Sequence, residues 1–252
     1  MKKAPRISIN KLMEYMSALP SRQREIVDNQ KNPQSNKYKM TWYARARKAI
    51  IEYLDKDCSD ESILDNEIER LHEEIEGLKE KDPKKLKRKT QRIQVDIDAI
   101  NSFKGLHKKL GLKDVKFSKT LKRPKYLDYS GVHVSVCPDI HIITNDWEHI
   151  GCLKLYLPKN DCLQNDNADF LCAVLNHYAD KHLSPHHAAN PKACIVIDVF
   201  GGKVFRASQN VKLHEGKIRE TCRNIRDLWP TIPNRKPITG KDNGQDEMNL
   251  SE

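Results

Sequence analysis

The sequence predicts an α+β protein: a mixed β-sheet flanked by helices, with a helical N-terminal region and an inserted antiparallel coiled-coil hairpin. Three observations carry this expectation. Val132, Val134 and Val136 alternate with polar residues, the two-residue period of a strand with one buried face. Leu64, Ile68, Leu71, Ile75 and Leu78 recur four and three residues apart, the seam of a coiled coil. The run Cys194-Ile-Val-Ile-Asp-Val-Phe200 is apolar and of strand length, and Gly201-Gly202 turns it into a further short strand at 203–206.

Taken in chain order, Ser8 is placed to cap a helix that Pro20 stops, and a second helix over 21–30 ends near Asn32-Pro33. A third, over 41–54, puts Trp42, Ala46, Ala49, Ile50 and Tyr53 on one stripe, leaving Arg45, Arg47 and Lys48 to decorate the rest. The coiled-coil helix breaks at Asp82-Pro83 and resumes through Leu86, Ile93, Ile97 and Ile100 to about residue 111. Strands at 132–137 and 152–157 are expected to pair across the polar turn 144–149. Helices follow over 166–183 and 211–229, the second stopped by Pro230. Residues 231–252 are polar and aperiodic, the composition of a disordered tail. The chain thus divides into a basic helical region (1–57), a helical hairpin (58–112), an α/β core (113–230) and a tail (231–252).

Charge narrows the function classes. The net charge is +10, but it is unevenly placed: +7 over residues 1–57, −7 over 58–82, +12 over 83–125 and −2 over 126–252. The α/β core is therefore not the basic part. A grip on a polyanion falls to the basic arm, where Lys84, Lys85, Lys87, Arg88, Lys89 and Arg92 crowd together, and complementary charge favours antiparallel pairing with the acidic arm. Residues 60–110 are also the expected surface for a protein partner or self-association. No apolar stretch reaches the length of a membrane span, and the N-terminus lacks the apolar run of a signal peptide. Seven cysteines, irregularly spaced and mostly in apolar runs, read as reduced packing residues of a cytoplasmic protein.

Pro138-Asp139 closes the first alternating run, and Gly151-Cys-Leu-Lys154 follows one hairpin later. In 152–157, alternation puts Cys152, Lys154 and Tyr156 on one face and Leu153, Leu155 and Leu157 on the other, so Lys154 is expected to be partly buried with Asp139 as its natural partner. Over residues 126–206 this pattern resembles the PD-(D/E)XK nuclease-like superfamily of restriction-endonuclease-like and RecB-type domains. The resemblance implies an α-β-β-β-α-β core with the helical hairpin as an insertion. It also implies that Asp139 and the Leu153 carbonyl hold Mg2+ or Mn2+ while Lys154 meets the attacking water. The pattern departs at the second acid, two residues before the lysine, where Cys152 stands. Glu148 or Asp146 in the connecting turn, or Asp198 in the later strand, would have to supply a displaced carboxylate. Glu52 is a further helix-borne acid, and Tyr178 keeps half of a RecB-type helix motif whose glutamine position is Val174.

Plainer roles stand beside these. Asp139 can simply end a strand in a Pro-Asp turn, and Asp139 with Lys154 can be a structural ion pair. His177, His182, His186 and His187 lack the spacing of a zinc module, and Gly201-Gly202 lacks the rest of a nucleotide fingerprint. Two functions from different classes follow. One is a DNA-directed, Mg2+-dependent nuclease of a bacterial antiviral defence or DNA-processing system. The other is a catalytically inactive nuclease-like subunit that binds nucleic acid, DNA in preference to RNA, or assembles with a partner through its basic helices and coiled coil.

Overall fold

The structure is a computed structural model and describes residues 4–33, 42–107, 115–120, 125–144, 149–183, 188–208 and 210–235. In chain order the elements are β1 (Arg6–Ser8), α1 (Ile9–Ser17), α2 (Pro20–Lys31), α3 (Ala44–Asp55), α4 (Ser62–Glu76), α5 (Pro83–His107), β2 (Val115–Lys119), β3 (Lys125–Tyr129) and β4 (Val132–Val136). There follow β5 (Ile140–Thr144), β6 (His149–Tyr156), α6 (Asn165–His182), β7 (Ala188–Asp198), β8 (Lys203–Arg206) and α7 (Val211–Leu228). The fold is α+β, with one sheet ordered β2-β5-β6-β7-β8 and a smaller one ordered β1-β4-β3. In the larger sheet only β6 and β7 run parallel, joined through α6 as a crossover of this kind requires.

Alternation along β6 and β7 builds two cores, one on each face of the large sheet. Leu153, Leu155, Ile195 and Ile197 join α3, α4 and α5 on one side. Cys152, Cys194 and Val196 join α1, α2, α6, α7 and the inner face of the small sheet on the other. The expected split of side chains between Cys152 and Leu157 is therefore what the sheet displays. Gly151 sits at the register shift between β6 and β7, where a Cβ would lie 2.2 Å from the Ala193 carbonyl oxygen; only glycine permits that approach.

The strand that pairs with β6 differs from the expected one. Val132–Val136 belongs to the small sheet, pairing with β3 across the Ser130-Gly131 turn, where both residues have positive φ, and with β1. The partner of β6 is β5, with Ile140 opposite Leu153. Asp139 thus opens the strand beside Lys154 instead of closing the one before it. Register depends on which faces are buried, and two consecutive apolar runs with the same period compete for one partner.

Within the stretch 58–112, α4 and α5 lie against each other, and the ion pair between Lys104 near the end of α5 and Asp65 near the start of α4 shows that the two run antiparallel. Their seam is not confined to the pair. Leu64 and Leu71 on α4 and Ile93, Ile97, Ile100 and Phe103 on α5 pack with Ala46, Ile50 and Tyr53 of α3 in the same core as the sheet. Asp96 of α5 is buried because it caps α3 from outside: its Oδ1 accepts the Ala46 N–H at 3.0 Å, in a helix whose own N-cap, Tyr43, supplies no side-chain acceptor. Ser8 caps α1, accepting the Lys11 N–H at 3.3 Å. At the C-terminus Ile232 is buried and Arg235 pairs with Asp28 of α2, whereas residues 236–252, most of the expected tail, lie outside the described residues. Among the described residues no helix is long and apolar enough to cross a membrane.

Candidate functional site

Asp139 and Lys154 are brought together by the β5–β6 hairpin, with neither free to act as the resemblance requires. The segment 137–139 joins the two sheets, and its polar groups are tied down one by one. Lys154 Nζ donates to the Cys137 carbonyl at 3.1 Å, Thr120 Oγ1 to the Pro138 carbonyl at 2.8 Å, and the Asp139 N–H to the Leu153 carbonyl at 2.8 Å. The Asp139 carboxylate then extends the ladder. Its Oδ2 accepts the Leu155 N–H at 2.8 Å, and its Oδ1 takes Arg47 Nη1 at 2.6 Å. Arg47 Nη2 completes the ring by donating to the Leu155 carbonyl at 3.2 Å.

Arg47 is the residue that sequence reasoning left on the solvated side of its helix. Its side chain is about one-third exposed, while that of Asp139 is nearly buried. The available signal was position: Arg47 precedes Ile50 by three residues and Leu54 by seven, so it lies on the edge of the buried stripe.

Lys154 is 9% exposed. No ion pair joins it to Asp139, whose carboxylate is held by Arg47. Burial pushes the Lys154 pKa below its ordinary value; the charge of Asp139 opposes that shift and Arg47 reinforces it. Two ring side chains neighbour Lys154 on the same side of the sheet, and the buried His141 Nε2 has no hydrogen-bond partner among the described residues. His141, opposite Cys152 in the ladder, has a pKa lowered first by burial and then by Lys125, and its ring lies 6.4 Å from that of Tyr178. The Tyr178 hydroxyl is pushed up to about 12 by burial.

These residues do not fit the Mg2+ or Mn2+ that the resemblance implies. Cys152, in the place of the second acid, is fully buried, donates its thiol to the Leu175 carbonyl at 3.4 Å and is held protonated by burial. Both Asp139 oxygens are engaged, one by a cation. The Leu153 carbonyl already accepts the Asp139 N–H. Asp198 is fully buried with its oxygens on the Leu163 and Gly201 N–H groups at 2.8 and 2.9 Å, so it anchors the turn after β7 and does not reach Lys154. Glu52 makes no hydrogen bond or ion pair with Asp139 or Lys154. Glu148 and Asp146 lie outside the described residues, as do His186 and His187. Among the described residues no three His, Cys, Asp or Glu side chains are grouped to hold a metal ion.

The basic arm has a different environment. Lys84, Lys85, Lys87, Arg88 and Lys89 are exposed and Arg92 is half-buried. Lys89 pairs with Glu80 at 2.8 Å. Among the described residues the other five have no carboxylate within ion-pairing distance. Asp82 is spent on the start of the helix, accepting the Lys84 and Lys85 N–H groups at 2.8 and 3.3 Å. Two acids of α4 are directed elsewhere, Glu74 to Arg45 and Glu67 to Arg70, while Asp65 meets Lys104 at the far end of α5.

Comparison of the sequence with protein-family models and with curated proteins finds no match to either.

Two outcomes test the site geometry. Arg47→Ala and Asp139→Ala should each lower stability by about 1.5–3 kcal/mol, the range for a charge-assisted hydrogen bond, and the double variant should cost clearly less than their sum. Urea midpoints in metal-free buffer provide the check; a carboxylate held in reserve for a metal would show no loss there on truncation. The second outcome concerns pH. Because the Lys154 pKa is lower in the fold than its ordinary 10.5, the unfolded chain binds the proton more strongly between those two values. Stability of the wild type relative to Lys154→Met should therefore rise with pH through that window. A flat difference would place the ammonium in solvent.

Proposed function

We propose that this protein is a non-catalytic nucleic-acid-binding protein built on a nuclease-like core, with DNA as the expected partner. The single observation that carries the proposal is the row Lys84, Lys85, Lys87, Arg88 and Arg92 on α5, cationic and unmatched by any carboxylate among the described residues. These positions span nine residues of helix, about 12 Å from first to last, a length over which duplex DNA presents about seven phosphates. A protein that neutralised this charge internally would place the acids of α4 against it.

Support for the nuclease-like relation comes from chain order. The succession α3, β2, β5, β6, α6, β7 matches the α-β-β-β-α-β order of the PD-(D/E)XK superfamily, with α4–α5 and β3–β4 as insertions. Asp139 at the head of β5 and Lys154 on β6 lend the same relation support. The inactive reading is favoured over the nuclease because Arg47 occupies Asp139 and Cys152 replaces the second acid. Membership of an antiviral or DNA-processing assembly is an extension of the same proposal. The apolar seam of α4 and α5 is largely buried within the chain, so a protein partner would meet polar faces.

The test is a paired binding and cleavage assay on DNA and RNA with Mg2+ or Mn2+. Binding should fall steeply with salt, and neither metal should support cutting. Replacing Lys84, Lys85, Lys87 and Arg88 together by Gln should flatten the plot of log affinity against log salt by about 3, each phosphate contact contributing about 0.7–0.9. Metal-dependent cutting abolished by Lys154→Ala would overturn the proposal in favour of the nuclease.

A further inference from the structure

We propose that the groove between α5, the residues entering α3 and the turn 158–161 seats an unpaired base of single-stranded DNA. This rests on the nucleic-acid-binding role assigned to α5 and specifies its substrate class. The groove encloses about 1000 Å³. Trp42 stands on one lip with 48% of its surface exposed, the largest aromatic side chain left in solvent among the described residues. The expected helix stripe would have buried it. Instead α3 starts at Ala44, two residues beyond Trp42, because Tyr43 adopts a left-handed backbone (φ 59°) and turns the chain. Tyr43 is held there: its hydroxyl accepts the Lys159 N–H at 3.1 Å, and its ring lies 5.7 Å from that of Phe200. A strained residue with fixed contacts thus presents the indole at the groove, as expected of a binding position.

The remaining lining suits a nucleobase attached to a phosphate chain. Thr90, Gln91, Gln94 and Asn160 offer neutral donors and acceptors for base edges. Lys87 lies on the groove wall, and the exposed Lys84 and Arg88 neighbour it on α5, cations for the phosphate backbone. Two carboxylates also line the groove. Asp98 is compensated by Lys159 at 2.7 Å and by the Gln94 amide at 3.0 Å, and Asp161 accepts the Tyr156 hydroxyl at 3.1 Å. An aromatic face beside cations binds unstacked bases and has nothing to stack on in an intact duplex, which is why the occupant is single-stranded.

The experiment is fluorescence anisotropy with a labelled 20-nucleotide poly-dT strand and a duplex of equal length, on the full chain. Trp42→Ala should weaken poly-dT binding about 5- to 100-fold, the range for loss of one base–aromatic stack, and leave duplex affinity within about twofold. Trp42→Phe, which keeps a ring, should retain most of the affinity and serves as the folding control. Equal loss on both DNAs, or no loss on either, overturns the base seat. If the four α5 substitutions weaken binding while Trp42→Ala does not, the basic-helix role survives without the seat. If the wild type binds neither DNA, both proposals fall together.

Discussion

The ring formed by Arg47, Asp139 and the backbone of Leu155 is the contact on which the rest of the structure depends. β6 runs past the end of β5, so the N–H and carbonyl of Leu155 face a place where no strand continues. Left unpaired beneath α3, those groups would each carry the cost of a buried polar atom without a partner. The carboxylate and guanidinium take the part of the missing strand. In doing so they fix α3 on the sheet and lock the link between the two sheets. The same atoms cannot serve a divalent cation, because an arginine already neutralises the acid that would hold it. Structural and catalytic use of Asp139 compete, and the geometry favours the first.

Three acids elsewhere hold the backbone in place. Asp96 caps α3, Asp198 holds the turn after β7, and Asp82 starts α5. A dense run of positive charge lies on one exposed stretch of α5. The engaged Asp139 and the unmatched cations of α5 are the two observations on which the proposed binding role rests.

Legibility in the sequence varied with how local each signal was. The helices were readable within a few residues because caps and prolines mark their ends: Ser8 before α1, Pro20 at the start of α2 and Pro83 at the start of α5. The burial of Lys154 was readable because strand alternation is a local property. The pairing of β6 was not, since β4 and β5 are both short apolar strands on either side of Pro138 and only tertiary packing selects between them. Arg47 escaped notice because an arginine among other bases on a helix is by default solvated, and its acid partner lies 92 residues away. Trp42 was misplaced for a backbone reason, the left-handed Tyr43, which no side-chain period reveals.

The most direct test is a Mn2+ titration of the wild-type protein followed by electron paramagnetic resonance, which detects bound ion without any need for turnover. An Asp139 already held by Arg47 and Leu155 predicts no stoichiometric site, and the same trace for Asp139→Asn. One ion bound per chain in the wild type, and lost in that variant, would contradict the account and restore a metal centre at the β5–β6 hairpin.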